Sequence, residues 1–167
     1  MNTMFFESNA RDGRAYIARS SLAAAVAGQF PGFALTAATG KQLFVNRIRL
    51  YAEGAAATTF VHATIGIITA ALSGWTDQGT CPSTKSDAAD SSSKVFTISA
   101  ASAPTLAKTL YIEGLRFIND PAINTRFLDL DLRAPIIVSP GNSLVILSDN
   151  TATATAHRFN CEFVEKG

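Results

Sequence analysis

The chain has 167 residues, of which 47% are hydrophobic and only 16% charged, and its net charge is +1. That balance excludes the basic footprint of a protein that grips nucleic acid. No apolar run reaches the roughly 20 residues of a membrane-spanning helix, and two cysteines make no disulfide framework.

The length implies one domain. Typical soluble domains are about 25% charged. A chain this poor in charge fits a surface that lies against other subunits, where charged residues are depleted. A surface of small Ala, Ser and Thr side chains is the alternative.

Residues 1–28 read as an N-terminal arm ahead of a domain spanning 29–167. Within the arm, residues 20–27 are a candidate short helix, capped by Ser20 or Ser21 and ended by Gly28; an extended segment lying across a neighbour is the alternative. The apolar stretch 20–28 mimics a signal peptide only weakly, because Glu7 and Asp12 sit where positive charge is required. Phe5, Phe6 and Phe30 are candidate apolar anchors on an adjacent subunit, or else part of their own core. Arg11, Arg14 and Arg19 are candidate partners for a neighbour's carboxylates.

Strands begin at Gln42. Residues 42–53 alternate, with Phe44, Ile48 and Leu50 on one face and Leu43, Val45, Arg47, Arg49 and Tyr51 on the other. Residues 58–69 are a β-branched run suited to a central strand, with Gly66 marking a bulge. Residues 74–94 show no periodicity and read as a long surface loop. Trp75 at its base, the only tryptophan, either packs under the loop or serves as a ligand-facing aromatic. Strands over 95–99 and 107–118 follow, then a turn at Asn119, Asp120 and Pro121.

The last third is the clearest. Leu128, Leu130 and Leu132 alternate with Asp129, Asp131 and Arg133, which is the period of a strand with one apolar face. The turn Ser139, Pro140, Gly141 and Asn142 leads into a strand over 144–148, and the two flanking strands are expected to pair antiparallel. A final strand covers 157–165. Seven or eight strands at this spacing predict an all-β sandwich or barrel.

Chemistry-bearing patterns are few. Asp129 and Asp131 share a strand face, where they would hold a cation or lie solvated beside Arg133. His62 and His157 stand without ligand-spaced partners. Cys161 and His157 are four residues apart on one strand, about 13 Å along it, too far for a catalytic hydrogen bond. Glu113 is an acid inside an apolar strand. No Gly-x-Ser-x-Gly or phosphate-binding glycine pattern occurs. These readings predict no enzyme, no metal and no cofactor. Cys161 shares a face with Phe159 and Phe163 and reads as a buried hydrophobe. A bridge to Cys81 is left open.

Residues 134–146 (APIIVSPGNSLVI), with the terminal run 159–164, resemble the closing strands of jelly-roll subunits in bacteriophage capsid decoration (cement) proteins and other viral coats. The resemblance covers about a quarter of the chain. It implies a jelly-roll-type antiparallel β-sandwich and a homotrimer seated on the major capsid protein of a virion. It also implies an arm reaching a neighbour, and it carries over no catalytic residue. A carbohydrate- or receptor-binding sandwich centred on Trp75 and a small major coat protein are the alternatives.

Overall fold

The computed structural model describes residues 2–22, 30–53, 62–100, 103–114, 116–117, 125–148 and 156–167. One helix, α1 (Asn2–Arg11), precedes eleven strands: β1 (Ala15–Leu22), β2 (Phe30–Thr36), β3 (Gln42–Glu53), β4 (His62–Ile68), β5 (Thr76–Thr80), β6 (Lys94–Ala100), β7 (Lys108–Gly114), β8 (Arg116–Phe117), β9 (Thr125–Val138), β10 (Ser143–Ser148) and β11 (Ala156–Lys166). They form two sheets, ordered β1-β11-β3-β9-β8 and β5-β6-β2-β10-β4-β7, with every pairing antiparallel.

Without the additions β5, β6 and β8, the sheets are β1-β11-β3-β9 and β2-β10-β4-β7. The chain then changes sheet at every connection except β4 to β7, which pair with each other. That is the double Greek key of a jelly roll. The all-β jelly-roll sandwich read from the sequence is the fold observed.

One core lies between the sheets. Phe33 and Leu35 of the second sheet, Ile48 and Leu50 of β3, and Phe159 and Phe163 of β11 are all essentially inaccessible and belong to one cluster. The rings of Phe33 and Phe159 stack across it with centroids 5.1 Å apart. A smaller cluster covers the opposite face of the second sheet, where Ala34, Val145 and Leu147 meet Leu72, Trp75, Phe96 and Leu106. Every residue of β10 is therefore buried, which explains its unbroken apolar run.

Several expectations are corrected. The strands flanking the Ser139–Asn142 turn do not pair: β9 belongs to the first sheet and β10 to the second. The turn, with Gly141 at φ 76° and Asn142 N–H donating to the Ser139 carbonyl at 3.1 Å, carries the chain across the core. In β3 the two faces are not as alternation predicts. The register slips at Asn46 against both neighbours, so Leu43 and Val45 turn inward alongside Ile48 and Leu50. A bulge shifts the phase of every later side chain by one.

The helix is at Asn2–Arg11, not at 20–27: Ser20 and Ser21 continue β1, and residues 23–29 lie outside the described ones. The segment expected as an arm is largely part of the sandwich. β1 pairs with β11 along its whole length, and α1 packs on β1, β9 and β11 of its own fold. Residues 74–94 contain one strand, β5, paired to β6. Gly66 does sit at a bulge: the β4–β7 register shifts between Ile65 and Gly66. Residues 58–61 and the turn 119–121 lie outside the described residues.

Both cysteines are free and buried. Ala18 faces Cys161 in the β1–β11 register. The Tyr16–Ser83 bridge sets Cys81 on the other side of Ala18. The cysteines thus stand two strand spacings apart, about 9–10 Å, beyond the roughly 7 Å that a disulfide spans between Cα atoms.

Candidate interaction groove

The two flanks of the sandwich end differently. On one flank the edge strand β1 is covered at its start, over residues 15–17: Ile17 N–H donates to the Pro82 carbonyl at 3.2 Å, and Thr84 N–H to the Ala15 carbonyl at 2.9 Å. The neighbouring edge, β5, is short, bulged between Asp77 and Gly79, and carries the Lys94–Asp77 ion pair at 2.7 Å. Short, bulged and charged edges are how sheets avoid joining other chains.

On the opposite flank the second sheet ends at β7. In the first sheet β8 pairs with β9 only at Phe127 and Arg126. From Leu128 onward β9 has β3 as its one strand partner among the described residues. Between these edges lies a cavity of about 640 Å³. One wall is Ile67, Lys108, Leu110 and Tyr111; the other is Pro135, Ile136 and Ile137; Ser139 and Asn142 close one end. Tyr111 is 45% exposed and Ile137 53%, the two large hydrophobic side chains most open to solvent among the described residues.

Local sequence builds both walls. In β9, Asp131 and Ile136 oppose Arg47 and Val45, so residues 132–135 fall outside the ladder. Pro135 has no N–H to give and belongs at such an edge or bulge. In β7, Leu110 is the extra residue of the bulge opposite Gly66; it packs on the main core and leaves Tyr111 outside. A Cβ on Gly66 would stand 2.6 Å from both Leu106 Cδ1 and the Lys108 carbonyl oxygen, so only glycine allows this close approach.

Among the described residues, Lys108 is the one charged residue in the lining. The outer face of the first sheet is the opposite in character. There Arg47 holds Asp129 with two hydrogen bonds of 2.8 and 2.7 Å. Arg49 lies 3.5 Å from Asp129 and 3.1 Å from Glu162. The Arg47 hydrogen bonds hold the Asp129 carboxyl below its ordinary range. These arginines, rather than Arg133 on the same strand as Asp129, give it its opposite charge.

The residues singled out in the sequence do not converge on one patch. Phe5 is on α1, with its side chain outside the described ones. Phe6 is half-buried on α1, and Arg11 is exposed at its end. Arg14 is exposed between α1 and β1, and its carbonyl accepts the Glu165 N–H at 3.1 Å. Arg19 is exposed on β1, across from Asn160. Phe30 is half-buried at the start of β2, in the other sheet. Trp75 is half-buried in the smaller cluster, lying over Gly32, where an added Cβ would reach its ring at 3.2 Å.

His157 is buried and stacked on Phe159. Among the described residues, no three His, Cys, Asp or Glu side chains are placed to hold a metal. Sequence reasoning missed Tyr111 and Ile137 as a site. The available signal was Pro135 inside an apolar run, which marks an edge. The chain matches no protein-family model, no curated protein and no solved structure.

Proposed function

We propose that this chain is a non-enzymatic structural subunit of a virus or phage particle, a capsid decoration (cement) protein. In this reading it assembles as a homo-oligomer, a trimer by the resemblance of residues 134–146, and seats on the major capsid protein. It acts mechanically, tying neighbouring shell subunits together, and needs no cofactor, nucleic acid or membrane. The observation that carries the reading is a jelly roll with a flank that leaves Tyr111 and Ile137 exposed. Apolar side chains on an open sheet edge are a liability for a monomer and an asset for a subunit. The low charge content is of the same kind.

An antibody raised against the purified chain tests this. In a density gradient of host lysate the chain should band with intact particles and stay with them on washing. Its restriction to fractions free of particles would overturn the reading.

A glycan-binding module is the second reading. It is favoured by the exposed Tyr111 ring beside Asn142, Ser139 and Lys108, in a cavity of ligand size, rather than by Trp75, which packs down. A glycan that protects the wild-type chain, but not Tyr111→Ser, from thermal unfolding would support it.

A further inference from the structure

We infer that residues 82–93 form an acid-released strap: protonation of the Glu165 carboxylate lets them lift from the start of β1 while both sheets stay folded. The inference is independent of the subunit reading and concerns a different part of the molecule.

The strap is the loop of a hairpin. Its ends, Thr80 of β5 and Lys94 of β6, pair in the second sheet. Its middle reaches across to the first sheet. There the Pro82 carbonyl accepts the Ile17 N–H, and the Thr84 hydroxyl adds a 3.0 Å bond to the Ala15 carbonyl beside its own N–H. Tyr16 bridges Ser83 between them. Because β1 ends its sheet, the strap stands where a further strand would, over residues 15–17.

Its fastening is mainly polar. From Pro82 to Asp90 only Ser83 and Ala88 are even partly buried. The buried Ser91 and Ser93, with Ser92 between them, turn onto Glu165. Five donors from these serines meet its carboxylate, the shortest bond coming from the Ser93 hydroxyl at 2.5 Å. No ladder breaks when the strap lifts: β1 keeps β11 along its whole length, and β5 keeps β6. Exposed segments with few apolar contacts open locally, well below the cost of global unfolding.

One titration acts on all five bonds. The carboxylate only accepts; once protonated, one of its oxygens carries a donor that faces other donors. The bonds that remain lose the charge that makes them about twice as strong as neutral ones. The surrounding groups do not change charge in the same way. Burial pushes up Tyr16 of β1 and Cys81 at the base of the strap, so both stay neutral in acid. Arg14, whose carbonyl accepts the Glu165 N–H, stays cationic. Lys166 lies over the Phe44 ring, and β3 sets Leu43 opposite Glu165. Glu7 and Arg11 of α1, and Asp12 after it, are exposed. Asp90 is the strap carboxyl that acts on Tyr16 and Cys81. It accepts the Ser83 N–H at 3.4 Å, which ties the strap to itself and not to β1.

The sign follows from the donors. They hold the Glu165 carboxyl below 4.5 while the strap is closed, and lifting the strap removes them. Opening is therefore suppressed above pH 4.5. Below it, opening grows about tenfold per pH unit until the lower, closed-state value is passed, and then levels off.

The test is amide hydrogen exchange on the full chain, read by NMR from about pH 7 to about pH 3 as protection relative to the unfolded-chain rate. The Ile17 and Thr84 amides report the strap, and the amides of β3, paired on both sides, report the sheets. Protection of Ile17 and Thr84 should fall about tenfold per pH unit once the Glu165 range is entered, while β3 keeps its own. In Glu165→Gln that protection should already be low near neutrality and should not follow pH. Asp90→Asn should behave as wild type. Where Glu165→Gln fails to fold, Ser92→Ala decides: it removes one donor at an exposed position and should lower the protection of Ile17 and Thr84 near neutrality.

A fall in β3 that accompanies the fall at Ile17 and Thr84 makes the event unfolding and overturns the strap. Full protection of Ile17 and Thr84 at about pH 3 overturns it as well. So does a pH-dependent fall that persists in Glu165→Gln or vanishes in Asp90→Asn, or a Ser92→Ala chain that exchanges as wild type.

Discussion

The carboxylate of Glu165 accepts the Ser91 hydroxyl at 2.6 Å, joining the last strand to a loop 74 residues earlier in the chain. Ser92 and Ser93 add their hydroxyls and backbone N–H groups to the same carboxylate. Three successive serines thus converge on one acid that is only 8% exposed. This latch holds residues 81–93 against the edge of β1. Burial pushes the Glu165 carboxyl up, but the serine donors together outweigh burial and hold it below its ordinary value of 4.5.

A depressed carboxyl stabilises the fold above its unfolded pKa, and that contribution is lost as pH falls through the folded value. Glu165→Gln should cost about 1–3 kcal/mol near neutrality, because buried donors lose a charged acceptor. It should also lose less stability than the wild type on acidification. Urea unfolding at about pH 7 and about pH 3 measures both; equal losses in the two proteins would remove Glu165 as the acid-sensitive group.

The Arg47–Asp129 pair is two-pronged but about a third exposed. Asp129→Asn should therefore cost only about 0.5–1 kcal/mol, and the difference from wild type should shrink in about 1 M salt. A loss above about 2 kcal/mol in urea unfolding would show that the Arg49–Glu162 pair collapses with it.

Two glycines should respond differently to alanine. At Gly66 the new methyl meets backbone oxygen as well as Leu106, and backbone cannot give way cheaply. Gly66→Ala should cost about 1–3 kcal/mol. At Gly32 it meets only side-chain ends, of Leu147, Ile98 and Trp75, so the loss should be smaller and accompanied by a shift in the emission of the sole tryptophan. Thermal melts with fluorescence emission spectra rank the two; a silent spectrum in Gly32→Ala would place Trp75 elsewhere.

The thiols should be inert in the folded protein. Burial, with the Glu165 and Asp90 carboxylates adding to it, pushes Cys81 up to about 12. Cys161 is raised by complete burial and then by Cys81 itself. A thiol reagent should react with neither until denaturant unfolds the chain, and then with both. Mild oxidation should leave the mobility of the intact chain unchanged on non-reducing gels, because β1, at Ala18, lies between Cys161 on β11 and the segment that carries Cys81.

The strands with clean alternation were legible. β3 has the predicted ends, β10 and β11 lie within a residue of theirs, and β9 contains the alternating run 128–133 but continues through Pro135 to Val138. The slip at Asn46 was also written in the chain: apolar residues occupy odd positions at Leu43 and Val45 and even ones at Ile48 and Leu50, which a single uninterrupted strand does not do. β1 was hidden because Arg19, Ser20 and Ser21 carry no β-branched signal, and pairing with β11 overrides local propensity. The groove was the least legible part. Whether Tyr111 faces a neighbouring strand or solvent depends on which strand ends the sheet, and strand order is set by pairings between distant segments.

Between β1 and β3 in the first sheet lies β11, the last strand of the fold. β1 has no strand ladder until those C-terminal residues arrive, and β3 has only β9 to pair with, so a chain still emerging from the ribosome holds β1 without its partner. Closure of this kind requires large loops to be ordered before they are rewarded, which makes folding slow, in the millisecond-to-second range. A ribosome stalled short of β11 releases a chain whose first sheet lacks the strand that joins β1 to β3.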